Sequence, residues 1–98
     1  MTSKERAYLR SLASNISPIY QIGKAGVTPE LTAGVCEAFN SRELIKVSVL
    51  KNCMDTPFNV ANTLAERTGS QVVQVIGKKI VLYKENADLK KKNKSIFK

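Results

Sequence analysis

The chain contains no histidine and only two cysteines among its 98 residues. Without histidine, the commonest general base and the commonest metal ligand are missing, and neither a Ser–His nor a Cys–His nucleophilic pair can form. Cys36 and Cys53 have no C-x-x-C spacing, so we expect free thiols, although the sequence also permits one disulfide. No cluster of carboxylates suggests a metal site. We therefore expect no enzymatic activity, no metal and no cofactor.

Long apolar runs are also absent, and acidic residues are few. No hydrophobic stretch approaches the roughly 18 residues of a membrane-spanning helix, and the charged start of the chain does not resemble a signal segment. A cytoplasmic protein without a membrane partner or a small-molecule substrate is expected. Against 8 Asp and Glu there are 16 Lys and Arg, which gives a net charge of +8. This excess favours a polyanionic partner, nucleic acid before an anionic membrane surface, unless the charge serves only solubility.

The length and composition predict one domain with one core, because 98 residues are too few for two cores and 43% of them are hydrophobic. The order of predicted elements is α-β-α-β-α-β-β. It indicates a two-layer α/β fold: a four-stranded mixed β-sheet with three helices, mainly on one side. We expect a monomer, with the domain over residues 1–84 and a flexible, lysine-rich C-terminal tail over residues 85–98. Caps and periodicity predict helices near residues 3–15, 29–40 and 57–68, and strands near residues 19–22, 43–51, 71–76 and 80–83.

A G-K-A-G sequence joins the first predicted strand to the second predicted helix. Its glycines let the backbone turn sharply and let a ligand approach closely. Thr28 and Pro29 mark the helix start, where free N–H groups and the positive end of the dipole suit a phosphate. The same pattern is compatible with an ordinary strand-to-helix turn. The candidate contact residues in this GxxG loop are Gly23, Lys24, Ala25 and Gly26.

Further lysines are candidates for contact with a nucleic acid. Lys46 is on the less apolar face of the strand over residues 43–51, where a merely solvated face is the alternative. Lys78 and Lys79 are at the tip of the final hairpin, where they contact phosphates or serve only as turn residues. Four lysines of the tail would add sequence-independent, salt-sensitive attraction: Lys90, Lys91, Lys92 and Lys94.

Five segments together resemble the CRM-domain family, in particular its short bacterial stand-alone members, the YhbY-like proteins. The segments are IGKAGVT (22–28), ELIKV (43–47), TG (68–69), QVIGK (74–78) and VLYK (81–84). The resemblance implies a fold similar to the C-terminal domain of bacterial translation initiation factor three. It also implies RNA binding through the GxxG loop and the surrounding basic surface. The implied partner is rRNA in precursors of the large ribosomal subunit (pre-50S particles), and the implied role is ribosome assembly.

Other interpretations stay open at this point. KH domains also clamp a nucleic-acid backbone with a GxxG loop, but there the loop lies between two helices, whereas here a strand precedes it. From a different functional class, a protein-interaction module could dock on ribosomal proteins without direct RNA contact. Membrane-surface binding through the tail ranks below both, because the tail lacks an amphipathic apolar face.

Overall fold

A computed structural model of the chain describes residues 1–92 and 95–97. These residues form a four-stranded mixed sheet with helices, so the predicted α/β fold and element order are confirmed, with one short helix added at the end. The helices are α1 (Ser3–Ala13), α2 (Pro29–Ala38), α3 (Pro57–Thr68) and α4 (Ala87–Lys91). The strands are β1 (Tyr20–Ile22), β2 (Leu44–Val49), β3 (Gln71–Ile76) and β4 (Lys79–Tyr83).

Local sequence explains where the three longer helices begin. The Thr2 hydroxyl accepts a hydrogen bond from the Glu5 backbone N–H, and the Glu5 carboxylate accepts one from the Thr2 N–H. This second bond lowers the pKa of Glu5 below its usual value. Thr28 and Thr56 cap α2 and α3, each followed by a proline at the start of the helix. All three starts agree with the sequence prediction.

The sheet has the strand order β1-β2-β4-β3. β1 and β2 are parallel, whereas β4 lies antiparallel between β2 and β3. β2 and β3 are parallel but not direct neighbours, because the crossover through α3 skips one strand position and β4 then returns into the gap. β1, β2 and β3 nevertheless point the same way. The chain therefore leaves all three strands at the same end of the sheet, which we call the carboxyl end.

Apolar residues of the sheet pack against helices on both faces. Ile45, Val47 and Val49 of β2 alternate onto the face covered by α2 and α3, as predicted, and form the larger core. On the opposite face, Leu9 and Ala13 of α1 belong to a smaller core. This layer of α1 is an addition to the two-layer prediction. It covers the half of the sheet that lies away from the carboxyl end.

The tail over residues 85–98 makes specific contacts where the structure describes it. Asn86 caps α4, and its side-chain amide donates hydrogen bonds to the carbonyl oxygens of Phe39 and Asn40 at the end of α2. Ile96 and Phe97 pack against the smaller core under α1. The flexibility of the tail in solution stays a prediction. One of the candidate lysines, Lys94, lies outside the described residues, as do Asn93 and Lys98.

A buried carboxylate joins the tail to the domain. Glu43 is only 2% exposed, and its Oε2 accepts a hydrogen bond from the Asn86 N–H over 2.7 Å. Its Oε1 accepts from the Ser95 hydroxyl over 2.8 Å and from the Ile96 N–H over 2.7 Å. Burial, together with the charge of Glu43, raises the pKa of neighbouring Tyr83 to about 12. These contacts give the end of the tail a defined position.

Three negative findings apply to residues 1–92 and 95–97. No helix there is both long and apolar enough to cross a membrane. No three His, Cys, Asp or Glu side chains of these residues come together as metal ligands would. Cys36 and Cys53 are not bonded to each other.

Candidate nucleic-acid interface

Three connecting segments meet at the carboxyl end of the sheet: the GxxG loop, the loop over residues 50–56 after β2, and the two-residue turn between β3 and β4. The Leu50 N–H donates a hydrogen bond to the Ile22 carbonyl oxygen over 2.8 Å. The Val49 N–H donates to the Lys78 carbonyl oxygen over 2.7 Å. The end of β2 therefore lies between the GxxG loop and the hairpin turn, and fixes their positions.

The two glycines of the GxxG loop serve different purposes. Gly26 closes the turn by donating its N–H to the Gly23 carbonyl oxygen over 3.0 Å, and its φ of 68° lies in the left-handed region. Gly23 has no positive φ, but a Cβ there would lie 3.2 Å from Asn52 Oδ1. Gly26 is thus needed for its backbone conformation, whereas a side chain at position 23 would require the Asn52 side chain to shift by a few tenths of an ångström. Between them, Lys24 and Ala25 are exposed.

Exposed lysines surround these three segments. Lys24 lies in the GxxG loop, Lys51 lies in the loop after β2, and Lys78 lies in the hairpin turn. Lys79 begins β4, and its Nζ donates a hydrogen bond to Ser48 Oγ over 3.1 Å. Because β2 separates the loop from the turn by one strand position, these ammonium groups belong to one end of a small domain. They can contact neighbouring phosphates of one RNA segment.

Acidic side chains are sparse around this end. None of the eight Asp and Glu residues lies on any of the four strands. Asp55 lies within the loop after β2, just before α3, and Glu30 lies in the first turn of α2, shortly after the GxxG loop. Because Glu30 is there and Thr28 already caps the Leu31 N–H, the start of α2 attracts phosphate less than the sequence predicts. The loop backbone and the lysines remain as the main groups that can bind an anion.

Lys46 is placed differently from the other candidate residues. It is half-buried on the α1 face of β2, opposite Val81 of β4. At about 3.3 Å of rise per residue, it lies roughly 10 Å along the strand from Val49 at the carboxyl end. The structure therefore brings Lys24, Lys78 and Lys79 to one end and leaves Lys46 on the adjoining sheet face.

Known proteins resemble this chain over most of its length. Residues 1–84 match the CRS1 / YhbY (CRM) domain. The chain belongs to the CRM-domain family. A Bacillus subtilis (strain 168) protein named Probable RNA-binding protein YqeI is 47% identical over 96 residues, which cover 98% of this chain and 96% of that protein. A Haemophilus influenzae protein named RNA-binding protein is 31% identical over 90 residues, covering 92% of this chain and 91% of its own.

A solved structure also resembles this CRM domain. The solution structure of a hypothetical protein from Staphylococcus aureus has 49% sequence identity and a TM-score of 0.75. The match covers 88% of this chain and 90% of that chain. The family resemblance inferred from the five segments is therefore confirmed. The family and the names of the relatives point to RNA binding rather than to catalysis.

Sequence reasoning missed two residues at the carboxyl end of this CRM domain. Lys51 and Asn52 lie in the loop after β2, and the Asn52 side chain lies beside Gly23. A signal was present in the sequence, because two parallel strands joined by a crossover must end at the same end of the sheet. Whatever follows the second strand then lies near whatever follows the first.

The remaining candidates among the described residues lie away from the carboxyl end. Lys90 and Lys91 are in α4 and Lys92 ends it, on the side where Asn86 bonds to the end of α2. The length of β2, roughly 17 Å at the usual rise per residue, separates this side from the GxxG loop. Tyr20 is partly buried against the larger core, and Tyr83 is largely buried in the smaller core. Neither is among the predicted site residues.

Proposed function

We propose that this CRM protein binds rRNA in precursors of the large ribosomal subunit and assists assembly of that subunit in the cytoplasm, without chemistry on the RNA. The proposal rests on one observation: at the carboxyl end of the sheet, the GxxG loop lies beside exposed lysines. The names of the relatives support RNA as the partner. The choice of large-subunit rRNA rests on the resemblance to the YhbY-like proteins.

The contacts would be mainly electrostatic. Gly26 lets the loop expose its backbone to a close phosphate, while Lys24, Lys51, Lys78 and Lys79 supply charge around it. If these four lysines each neutralise one phosphate, the logarithm of the binding constant falls with the logarithm of salt concentration with a slope of about −3. Phosphate contacts of this kind fix position and orientation but do not by themselves select a sequence.

A matched pair of triple variants tests where the RNA binds. One variant changes Lys24, Lys51 and Lys78 to glutamine, and the other changes Lys90, Lys91 and Lys92. Both lose the same charge, so net charge alone predicts equal effects on the affinity for a large-subunit rRNA fragment. We expect the first variant to bind much more weakly and with a shallower salt slope, and the second to lose less. Circular dichroism and melting temperature check that both are folded.

Three outcomes would contradict the proposed interface. Equal losses in the two variants would mean that binding follows total charge rather than the carboxyl end. An affinity of the unmodified protein that does not change between low and moderate salt would exclude a phosphate-dominated contact. The double variant Lys24→Glu, Gly26→Asp disrupts the GxxG loop more severely. Unchanged RNA affinity in that variant, once it is shown to be folded, would exclude the loop as an RNA contact.

Crosslinking in cells, followed by sequencing of the bound RNA, tests the target. We expect the crosslinked fragments to concentrate on the large-subunit rRNA and its precursor sequences. Fragments spread over messenger and transfer RNA in proportion to their abundance would refute the specific rRNA role while leaving RNA binding intact.

A protein-docking function is the second candidate, and two exposed apolar side chains favour it. Met54 is 90% exposed before α3, and Phe58 is 65% exposed in its first turn. Sedimentation through a sucrose gradient before and after RNase treatment distinguishes the two functions. Co-sedimentation with ribosomal proteins that survives complete RNA digestion would favour docking on protein, whereas release by RNase supports the proposed RNA contact.

A further inference from the structure

The side chain of Asn52 occupies the space beside the GxxG loop. A Cβ built on Gly23 would lie 3.2 Å from Asn52 Oδ1 and 3.8 Å from its Nδ2, so the amide group lies beside Gly23. Asn52 is nevertheless an exposed residue. Among residues 1–92 and 95–97, no side-chain hydrogen bond involves it, so the amide keeps both its donor and its acceptor for another molecule.

The glycine at position 23 is explained by this neighbour. Gly23 does not have a positive φ, so its backbone conformation is open to other residues. A side chain there would contact Asn52 and also Leu50, whose Cδ1 would lie 3.5 Å from the added Cβ. The first glycine of the loop therefore makes room for the amide, whereas Gly26 permits the turn.

We propose that Asn52 recognises one unpaired base of the RNA whose phosphate lies on the GxxG loop. The inference rests on the proposed RNA-binding function and adds a source of selectivity to it. Lys24, next to Gly23 in the sequence, and Lys51, next to Asn52, would contact phosphates and attract every sequence equally. Asn52 instead presents one hydrogen-bond donor and one acceptor side by side, which matches the edge of a single base.

The chemistry favours an unpaired adenine. An asparagine amide pairs with adenine by donating to N7 and accepting from the N6 amino group, a pairing that supplies roughly 5- to 150-fold discrimination against other bases. In an A-form RNA helix the deep, narrow major groove hides these atoms from side chains. The nucleotide beside the loop must therefore lie in a single-stranded loop, bulge or end.

Binding of short single-stranded oligonucleotides tests this assignment. Four uridine-rich RNAs differ only at one central base, and fluorescence anisotropy gives the affinity of each for the full-length protein. We expect the unmodified protein to prefer the adenine-containing RNA by the factor above. Asn52→Ala should bind all four RNAs equally, and the nearly isosteric Asn52→Asp should lose the preference for adenine, because a carboxylate cannot donate to N7. Asn52→Ala should keep the salt slope of the unmodified protein, because no phosphate contact is lost.

Two control variants separate recognition from mere support of the loop. Asn62→Ala removes an exposed asparagine from the middle of α3 and should leave the preference unchanged. Lys51→Ala should weaken binding of all four RNAs by the same factor and reduce the salt slope by about 1. If Asn52 only supported the loop, its variants would lose affinity for all four RNAs and keep the preference.

The failures of the two proposals are distinguishable. Equal, salt-sensitive binding of all four RNAs by the unmodified protein would overturn the role of Asn52 and leave RNA binding intact. A preference that survives in Asn52→Ala would do the same. Absence of binding to these oligonucleotides and to the rRNA fragment alike would overturn both proposals.

Discussion

Replacement of Glu43 by glutamine should release the C-terminal tail from the domain. The carboxylate is 2% exposed and accepts three hydrogen bonds from the tail: one from Asn86 and two from Ser95 and Ile96 near the end of the tail. A glutamine keeps the shape, but its amide N–H₂ would face the N–H of Asn86, which now donates to Oε2 over 2.7 Å. Two donors would then oppose each other in a site with almost no access to water.

The expected cost follows from these contacts. An unsatisfied buried donor costs about 1–3 kcal/mol, and hydrogen bonds to a charged group are stronger than those to a neutral one. The loss has an upper limit, because the tail can detach and give its N–H groups to water. We therefore expect Glu43→Gln to lower the free energy of unfolding by about 2–3 kcal/mol. Urea denaturation measures it, with Glu66→Gln on the exposed surface of α3 as the control.

A second measurement isolates the tail from the rest of the domain. In a chain that ends at Lys92, Ser95 and Ile96 are missing, so Glu43 keeps only its bond to Asn86. The same substitution should then cost about 1 kcal/mol, and the difference between the two backgrounds gives the coupling of Glu43 to the tail. Equal costs in the full-length and shortened chains would refute the reasoning, since Glu43 would then stabilise the domain without holding the tail.

Three further predictions concern single positions. Gly26→Ala should lower the free energy of unfolding by about 1 kcal/mol because of the φ of 68° at that position, whereas Gly23→Ala should lower it less and displace the neighbouring Asn52 side chain. Urea denaturation measures the stability of both variants, and amide chemical shifts detect the displacement of Asn52. Gly34→Ala should destabilise the domain by about 1–3 kcal/mol, because the added Cβ would lie 2.5 Å from the hydroxyl oxygen of Tyr20; unchanged urea denaturation would contradict this packing. The pKa of Tyr83 is raised from 10.0 to about 12, so on raising the pH the Tyr83 hydroxyl loses its proton in the unfolded state before it does in the folded state. The free energy of unfolding should therefore fall between those two pH values, and Tyr83→Phe should remove that fall.

The element boundaries could be predicted because their causes are local. A threonine cap followed by proline marks the start of α2 and of α3, and alternation in β2 assigns each residue to a face. Strand order is not local. The length of the crossover through α3 permits β3 to lie beside β2 or one position further, and nothing in its sequence distinguishes the two. The place of β4 between them depends on packing of the whole sheet.

The candidate site likewise contains features that the sequence predicts and others that only the fold brings together. The GxxG loop is visible in the sequence because two glycines and a lysine stand within four residues. The contact between Gly23 and Asn52 joins residues that follow different strands, so it appears only when the strands are paired. Phe97 has no periodic apolar neighbours in the tail, and its aromatic partners are Tyr8 and Tyr83, with ring centroids 5.9 and 5.6 Å away. The packing role of such an isolated apolar residue becomes visible only when the fold brings its distant partners next to it.

Net charge predicts the class of partner but not the place where it binds. Near the tail, Lys84 Nζ donates to the Thr68 carbonyl oxygen over 2.9 Å, and Lys90 Nζ lies 3.3 Å from Glu85. A phosphate arriving there competes with acceptors of the protein. At the carboxyl end, the side chains of Lys24 and Lys78 make no hydrogen bond or ion pair within residues 1–92 and 95–97, so a phosphate displaces only water. Lys24 and Lys78 should therefore contribute more to RNA affinity than Lys84 and Lys90.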